Sequence, residues 1–208
     1  MSMAGWSAKE SIAGLPSVLR LAQIGCTDLG TASDIVTDVI TAMGMQATDC
    51  GDMADMFTAA ITSSNTNVEM LGNTMSYVAP IAGSLGVEFE DLALAAGLLA
   101  DSGIKASKSG TSLRTLLSNL AAPTDAATKT MEKYGISMVE TEAGTVDLDK
   151  TMQSLRKSLK DLPLKEQTAA AKDLFGKTGM AGGLTIINAS EEHYNSLKQA
   201  IEGSTESM

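Results

Sequence analysis

Apolar residues recur three and four positions apart along most of this chain, and the spacing predicts a succession of amphipathic helices. Leu29, Ala32, Val36, Val39, Ile40 and Met43 form one such stripe; Leu71, Met75, Val78 and Ala82 form a second, and Leu113, Leu116, Leu117 and Leu120 a third. Between them, Met53, Met56, Phe57, Ala60 and Ile61 make a shorter stripe that Leu92, Ala95, Ala96 and Leu99 repeat. The recurrence has a register: Gly44 and Gly86, Gly30 and Gly72, and Asp49 and Asp91 are each 42 residues apart. A period of that size marks stacked helical hairpins, because each unit must bury the same face but not with the same residues. The segment WSAKESIAGLPSVLRLAQIG is read as an earlier, more divergent copy.

Helix punctuation follows the same frame. Gly30, Gly44, Gly72, Gly86 and Gly103 are expected at helix ends, Asn65 and Thr66 at a cap, and Thr66 with Glu69 as a capping box. Pro123 interrupts the pattern, since proline cannot continue the hydrogen bonding of the preceding helix. Beyond it, PTDAATKTMEKYG predicts a short helix, and residues 136–147 alternate weakly around a glycine turn, predicting a small β-hairpin. DKTMQSLRKSLKDL reads as an amphipathic helix with Met152, Leu155, Leu159 and Leu162 inward and its basic residues outward, ended by Pro163. PLKEQTAAAKDLFG restarts as a helix that Gly176 stops, TGMAGGLTIINA is a glycine-rich buried segment, and a last helix runs from a capping Ser190 to Gly203 before a polar tail. The expected fold is mostly α: a helical-hairpin repeat region over residues 1–122, a short helix, hairpin and amphipathic helix over 123–162, and C-terminal helices over 163–208, or one continuous domain.

Composition narrows the function. Aromatic residues make up 3% of the 208 residues while Ala, Gly and 13 Met carry much of the apolar content, so helices can pack closely through small and flexible side chains. A net charge of −10 without clustered Lys or Arg argues against direct nucleic-acid binding. No apolar run reaches the roughly 18 residues a membrane span needs, and MSMAGWSAKE has neither the basic nor the apolar region of a signal peptide, so no membrane association is expected of this segment.

The candidate chemistry is sparse. FGKTG mimics the end of a phosphate-binding loop at Gly176, Lys177 and Thr178, but position 171 is Ala where that loop needs glycine. His193 stands beside Glu191, Glu192 and Tyr194 without a second histidine or a cysteine set, which suits a solvated helix face better than a metal site. Glu140, Glu142, Asp147 and Asp149 do not follow a calcium-loop order, and Asp147 or Asp149 is expected to cap the following helix. Cys26 and Cys50 lack CxxC spacing and are read as free thiols. Met53 and Met56 could line an adaptable binding surface, but their helical spacing favours a core role. No catalytic, cofactor-binding or metal-ligating residue is assigned, and no cofactor is expected.

The ordered pieces AGWSA, LPSVLRLA, ASDIVTD, SNTNVEMLG, YVAPIAGSLG, ALAAGLLADSGIKAS, GTSLRTLL and LFGKTGMAGGL carry a resemblance. From about Ala4 to Ile201 the chain resembles phage tail tape measure proteins. The resemblance implies a structural role: a protein in the tail lumen whose length helps set tail length, around which tail-tube subunits polymerise. It implies tail-tube and tail-tip proteins and tail assembly chaperones as partners, with self-association, a place in the virion tail, and a time in the host cytoplasm during assembly. It also implies a phage or prophage source, a much longer full-length protein, and no enzymatic activity in this segment. Without the resemblance, the residues alone would support a general α-helical protein-interaction module.

Overall fold

A computed structural model describes residues 6–204; the start of the MSMAGWSAKE stretch and the end of the expected polar tail, from residue 205, lie outside them. The described residues form ten α-helices and one short 3₁₀ turn over Ala47–Asp49. The helices are α1 (Ala8–Ile24), α2 (Leu29–Met43), α3 (Cys50–Ser63), α4 (Val68–Leu85), α5 (Phe89–Asp101), α6 (Ser107–Ala121), α7 (Asp125–Tyr134), α8 (Leu148–Leu159), α9 (Leu164–Asn188) and α10 (Glu191–Glu202).

The repeat becomes two layers. Helices α2, α4, α6 and α9 pack side by side in sequence order, while α1, α3 and α5 line up behind them and α10 closes against α3 and α5. Helix α2 starts at Leu29, α4 at Val68 and α6 at Ser107, so starts recur every 39 residues (68 minus 29, 107 minus 68), and α3 and α5 keep the same interval (89 minus 50). The terminal glycines Gly44 and Gly86 keep the 42-residue interval because α4 has 18 residues where α2 has 15. The longer interval therefore aligns helix ends. Val36, Val78 and Leu120 are all buried in that register, but Leu29 is exposed where Leu71 is buried.

Both Gly44 and Gly86 are left-handed, with φ of 71° and 65°, as helix ends require. Gly103 is left-handed just beyond α5. Gly72 is not a helix end, and Gly30 opens a helix rather than closing one. Gly30 lies in the first turn of α2 and Gly72 inside α4, where an added Cβ would meet Ile35 of α2 at 2.7 Å. The absent side chain lets the two helices approach. Gly110 does the same for α6, its ideal Cβ position lying 2.5 Å from the Thr74 carbonyl of α4.

The cap of α4 also differs from expectation. Asn67, in extended conformation, accepts from the Met70 N–H at 2.8 Å, whereas the Thr66 N–H turns back to Ser64 and Glu69 accepts the Thr27 hydroxyl at 3.2 Å. An amide side chain one position later takes the role assigned to the threonine. A capping box does form at Ser7 and Glu10, ahead of α1.

No β-hairpin forms among the described residues. Only an isolated antiparallel bridge joins Glu140 to Val146 around a turn with left-handed Gly144. Two cross-strand hydrogen bonds flank it, from the Thr141 N–H to the Thr145 carbonyl and from the Asp147 N–H to the Val139 carbonyl, but the ladder ends there: the Val139 N–H turns to the Thr151 hydroxyl on α8, and the Val146 N–H donates to the Leu85 carbonyl at the end of α4. A two-stranded ribbon is marginal by itself, and here docking to two helices replaces it.

Helix α9 runs across the expected stop. Gly176, at φ 72° and ψ 169°, breaks it sharply, as the sequence predicts, but the chain resumes helical geometry and carries buried Gly179 and Gly182 against Ser112 of α6, with buried Gly183 against the Phe175 ring. Pro163 occupies the cap position of α9. One apolar core extends from Val18 to Ile201. At its centre α5 is buried on nearly every side, because α3, α6, α8, α9 and α10 all pack on it. Its Phe89 ring stacks on Phe57 of α3 with centroids 5.3 Å apart.

Candidate functional site

Most of the chemically capable side chains singled out in the sequence act locally. Asp147 caps α8, accepting from the Lys150 N–H at 2.8 Å, and Ser190 caps α10 by accepting from His193. Glu140 and Glu142 are exposed beside the turn. Lys177 and Thr178 follow the break at Gly176 within a helical segment rather than a strand-to-helix loop. Met53 and Met56 are buried in the core. Cys26 and Cys50 are both free; burial pushes the Cys50 thiol up to about 11, which keeps it protonated. His193 reaches beyond a solvated face: its Nε2 lies 2.8 Å from Asp101 Oδ2 at the end of α5, and Asp101 also accepts the Asn65 N–H.

Asp149 is not a cap but the centre of a polar cluster joining α5, α8 and α10. The Tyr194 hydroxyl donates to it at 2.6 Å, the Lys198 ammonium at 2.7 Å and the Gln153 amide at 2.7 Å. Burial by itself would raise the Asp149 carboxyl, but these donors outweigh it and hold the group below its ordinary value. Burial and the Asp149 hydrogen bond push the Tyr194 hydroxyl up, so it remains a donor. Across the cluster, Asp91 of α5 accepts the Asp149 N–H at 2.9 Å. Burial is the main cause of its rise to about 6, opposed by that hydrogen bond and reinforced by the nearby Asp149 and Asp147 charges.

Arg156 departs from the outward placement expected of basic residues on α8. It is 3% exposed, lies 4.3 Å over the Tyr194 ring and donates through Nη2 to Glu191 at 2.5 Å. Burying a guanidinium is tolerable only with such partners. Helical spacing offers a weak signal for it: Arg156 follows Met152 by four positions and adjoins Leu155, at the edge of the apolar stripe.

The cluster's acceptors are occupied by protein donors, and its arrangement locks the C-terminal helix to α5 and α8. Elsewhere, a groove of about 470 Å³ runs between α2 and α4 along Ile35, Val39, Gly72, Met75 and Ala79. Among the described residues, no three His, Cys, Asp or Glu side chains converge as metal ligands, and no helix is long and apolar enough to cross a membrane.

A two-layer stack of helical hairpins, held by a core of small and apolar side chains and locked by a polar cluster, defines the class: a helical-repeat protein. Comparison with known proteins supplies its relations. The family model described as phage-related minor tail protein matches residues 1–176, and the chain belongs to that family. It is 30% identical over 204 residues to the tape measure protein of Pneumococcus phage Dp-1, spanning 98% of this chain and 18% of that protein. It is also 21% identical over 191 residues to the probable tape measure protein of Escherichia phage P2, covering 91% of this chain and 23% of that protein. This chain thus spans about a fifth of the length of these curated relatives. No solved structure matches it significantly.

Proposed function

We propose that this chain is a segment of a tape measure protein that acts as a non-catalytic scaffold for tail-tube polymerisation and contributes to tail-length control. The observation carrying this reading is the 30% identity that extends over 98% of the chain to a protein named for that role. Its partners are tail-tube and tail-tip proteins and tail assembly chaperones, met in the host cytoplasm during assembly, and its final location is the virion tail. The regions 1–122, 123–162 and 163–208 act as one continuous domain in this reading, supported by a core that draws on all three. Self-association has support in α1, the end of its layer, where Ile12, Leu15 and Leu19 leave apolar side chains exposed along one side.

Light scattering with small-angle X-ray scattering over a concentration series tests the scaffold. Concentration-dependent growth into an elongated oligomer is expected; a compact monomer throughout, with no effect on tube-subunit polymerisation, contradicts it. The second reading, a general helical protein-interaction module, draws support from the groove between α2 and α4. Binding of helical peptides there without any effect on tube assembly would favour it.

A further inference from the structure

Between α8 and α10 lies a polar groove of about 680 Å³ whose lining includes Lys150, Arg156, Lys157 and Lys160 against only Asp161 and Glu191. A local cationic excess in a chain of net charge −10 requires a reason. Lys150 is paired with Asp147 at 2.8 Å, but Lys157 is exposed and has no ion-pair partner among the described residues. Arg156 is 4% exposed at its side chain, and its buried Nη1 makes no hydrogen bond, an expensive omission for a guanidinium. Glu191 is 70% exposed yet reaches in to bridge Arg156 Nη2 and Lys160 Nζ, at 2.5 and 3.7 Å. The side chain amides of Gln153 and Asn195 also line the groove, offering donors and acceptors to a peptide backbone.

We propose that this groove is a docking site for an acidic segment of a partner protein, one of whose carboxylates takes the place of Glu191 on Arg156 and Lys160. Glu191 itself demonstrates that an aliphatic carboxylate fits these cations. A bidentate carboxylate would also engage the second guanidinium nitrogen after a small shift of Arg156, with Lys157 meeting a neighbouring acid. The strongly negative remainder of the molecule disfavours a nucleic-acid backbone, whose charge continues far beyond the groove.

Fluorescence anisotropy with a labelled hexaglutamate peptide at low ionic strength tests the site. Glu191→Gln removes the competing charge from the cations, whereas Glu192→Gln makes the same charge change at an exposed position outside the groove lining. Glu191→Gln is expected to tighten binding about tenfold, Glu192→Gln to change it less than about twofold, and Lys157→Gln to weaken it several-fold. Unchanged circular dichroism accompanies each variant. Equal gains in the two Glu variants, or no binding by any protein, overturn the site. Competition by inorganic phosphate as effective as that by glutarate overturns its assignment to carboxylates.

Discussion

Asp91 shows how a single carboxyl can oppose the fold that contains it. Its value in the folded protein is about 6 against an ordinary 3.8, so the folded state holds the proton more tightly than the unfolded chain. Its contribution to stability is therefore greatest below about pH 4 and declines as pH rises towards 6. An asparagine side chain in its place would keep an oxygen for the Asp149 N–H without the charge. Asp91→Asn is expected to stabilise the protein by about 2 kcal/mol above pH 6, with the difference vanishing below pH 4, measured by urea unfolding across that range. Asp149 acts in the opposite sense, its contribution being present above its ordinary value and lost as pH falls, and both proteins retain it.

Helices in this fold depend on where side chains are missing as much as on where they are present. A methyl group at Gly110 would strike both the Thr74 carbonyl and Tyr77 Cβ of α4, at 2.5 and 2.6 Å. Gly110→Ala is expected to cost about 1–3 kcal/mol by forcing α4 and α6 apart, visible as a lower urea midpoint. At Gly176 the obstacle is conformational: φ 72° with ψ 169° belongs to a region that glycine alone enters readily. Gly176→Ala should cost about 1–3 kcal/mol, and a melting temperature equal to that of the parent protein would refute the need for the break. These two glycines differ in legibility. The stop at Gly176 is readable because it interrupts a helical pattern, whereas Gly110 sits inside one and its role depends on a neighbour.

The whole molecule couples regions that the chain presents in sequence. Helix α10 supplies buried Tyr194, Leu197 and Ile201, with Tyr194 and Lys198 holding Asp149 and Tyr194 stacking beneath Arg156. Removing residues 190–208 exposes that apolar surface and strands two buried charges, a loss of about 5 kcal/mol or more. Such a loss approaches the entire stability of an ordinary domain. The truncated protein is expected to lose cooperative unfolding in a urea titration throughout its length; an intact, cooperative transition from the first 122 residues would instead make that region an independent unit.

Local physics determined the helical class, the left-handed ends at Gly44 and Gly86, the caps at Asp147 and Ser190, and the inward methionines, because these depend on residues within one or two turns of each other. Identity over nearly the whole chain determined its family in the same one-dimensional way. Tertiary structure decided the rest. It cut the hairpin at 136–147 back to a single bridge by turning the Val139 N–H to α8 and the Val146 N–H to α4, moved Arg156 inward by providing Tyr194 and Glu191, and made Gly72 a contact rather than an end. It also turned Asp149 from a candidate cap into the link between three helices. Each of those outcomes rests on a partner at least a dozen residues away, and a hydrogen bond or close approach at that range exists only after the helices have packed.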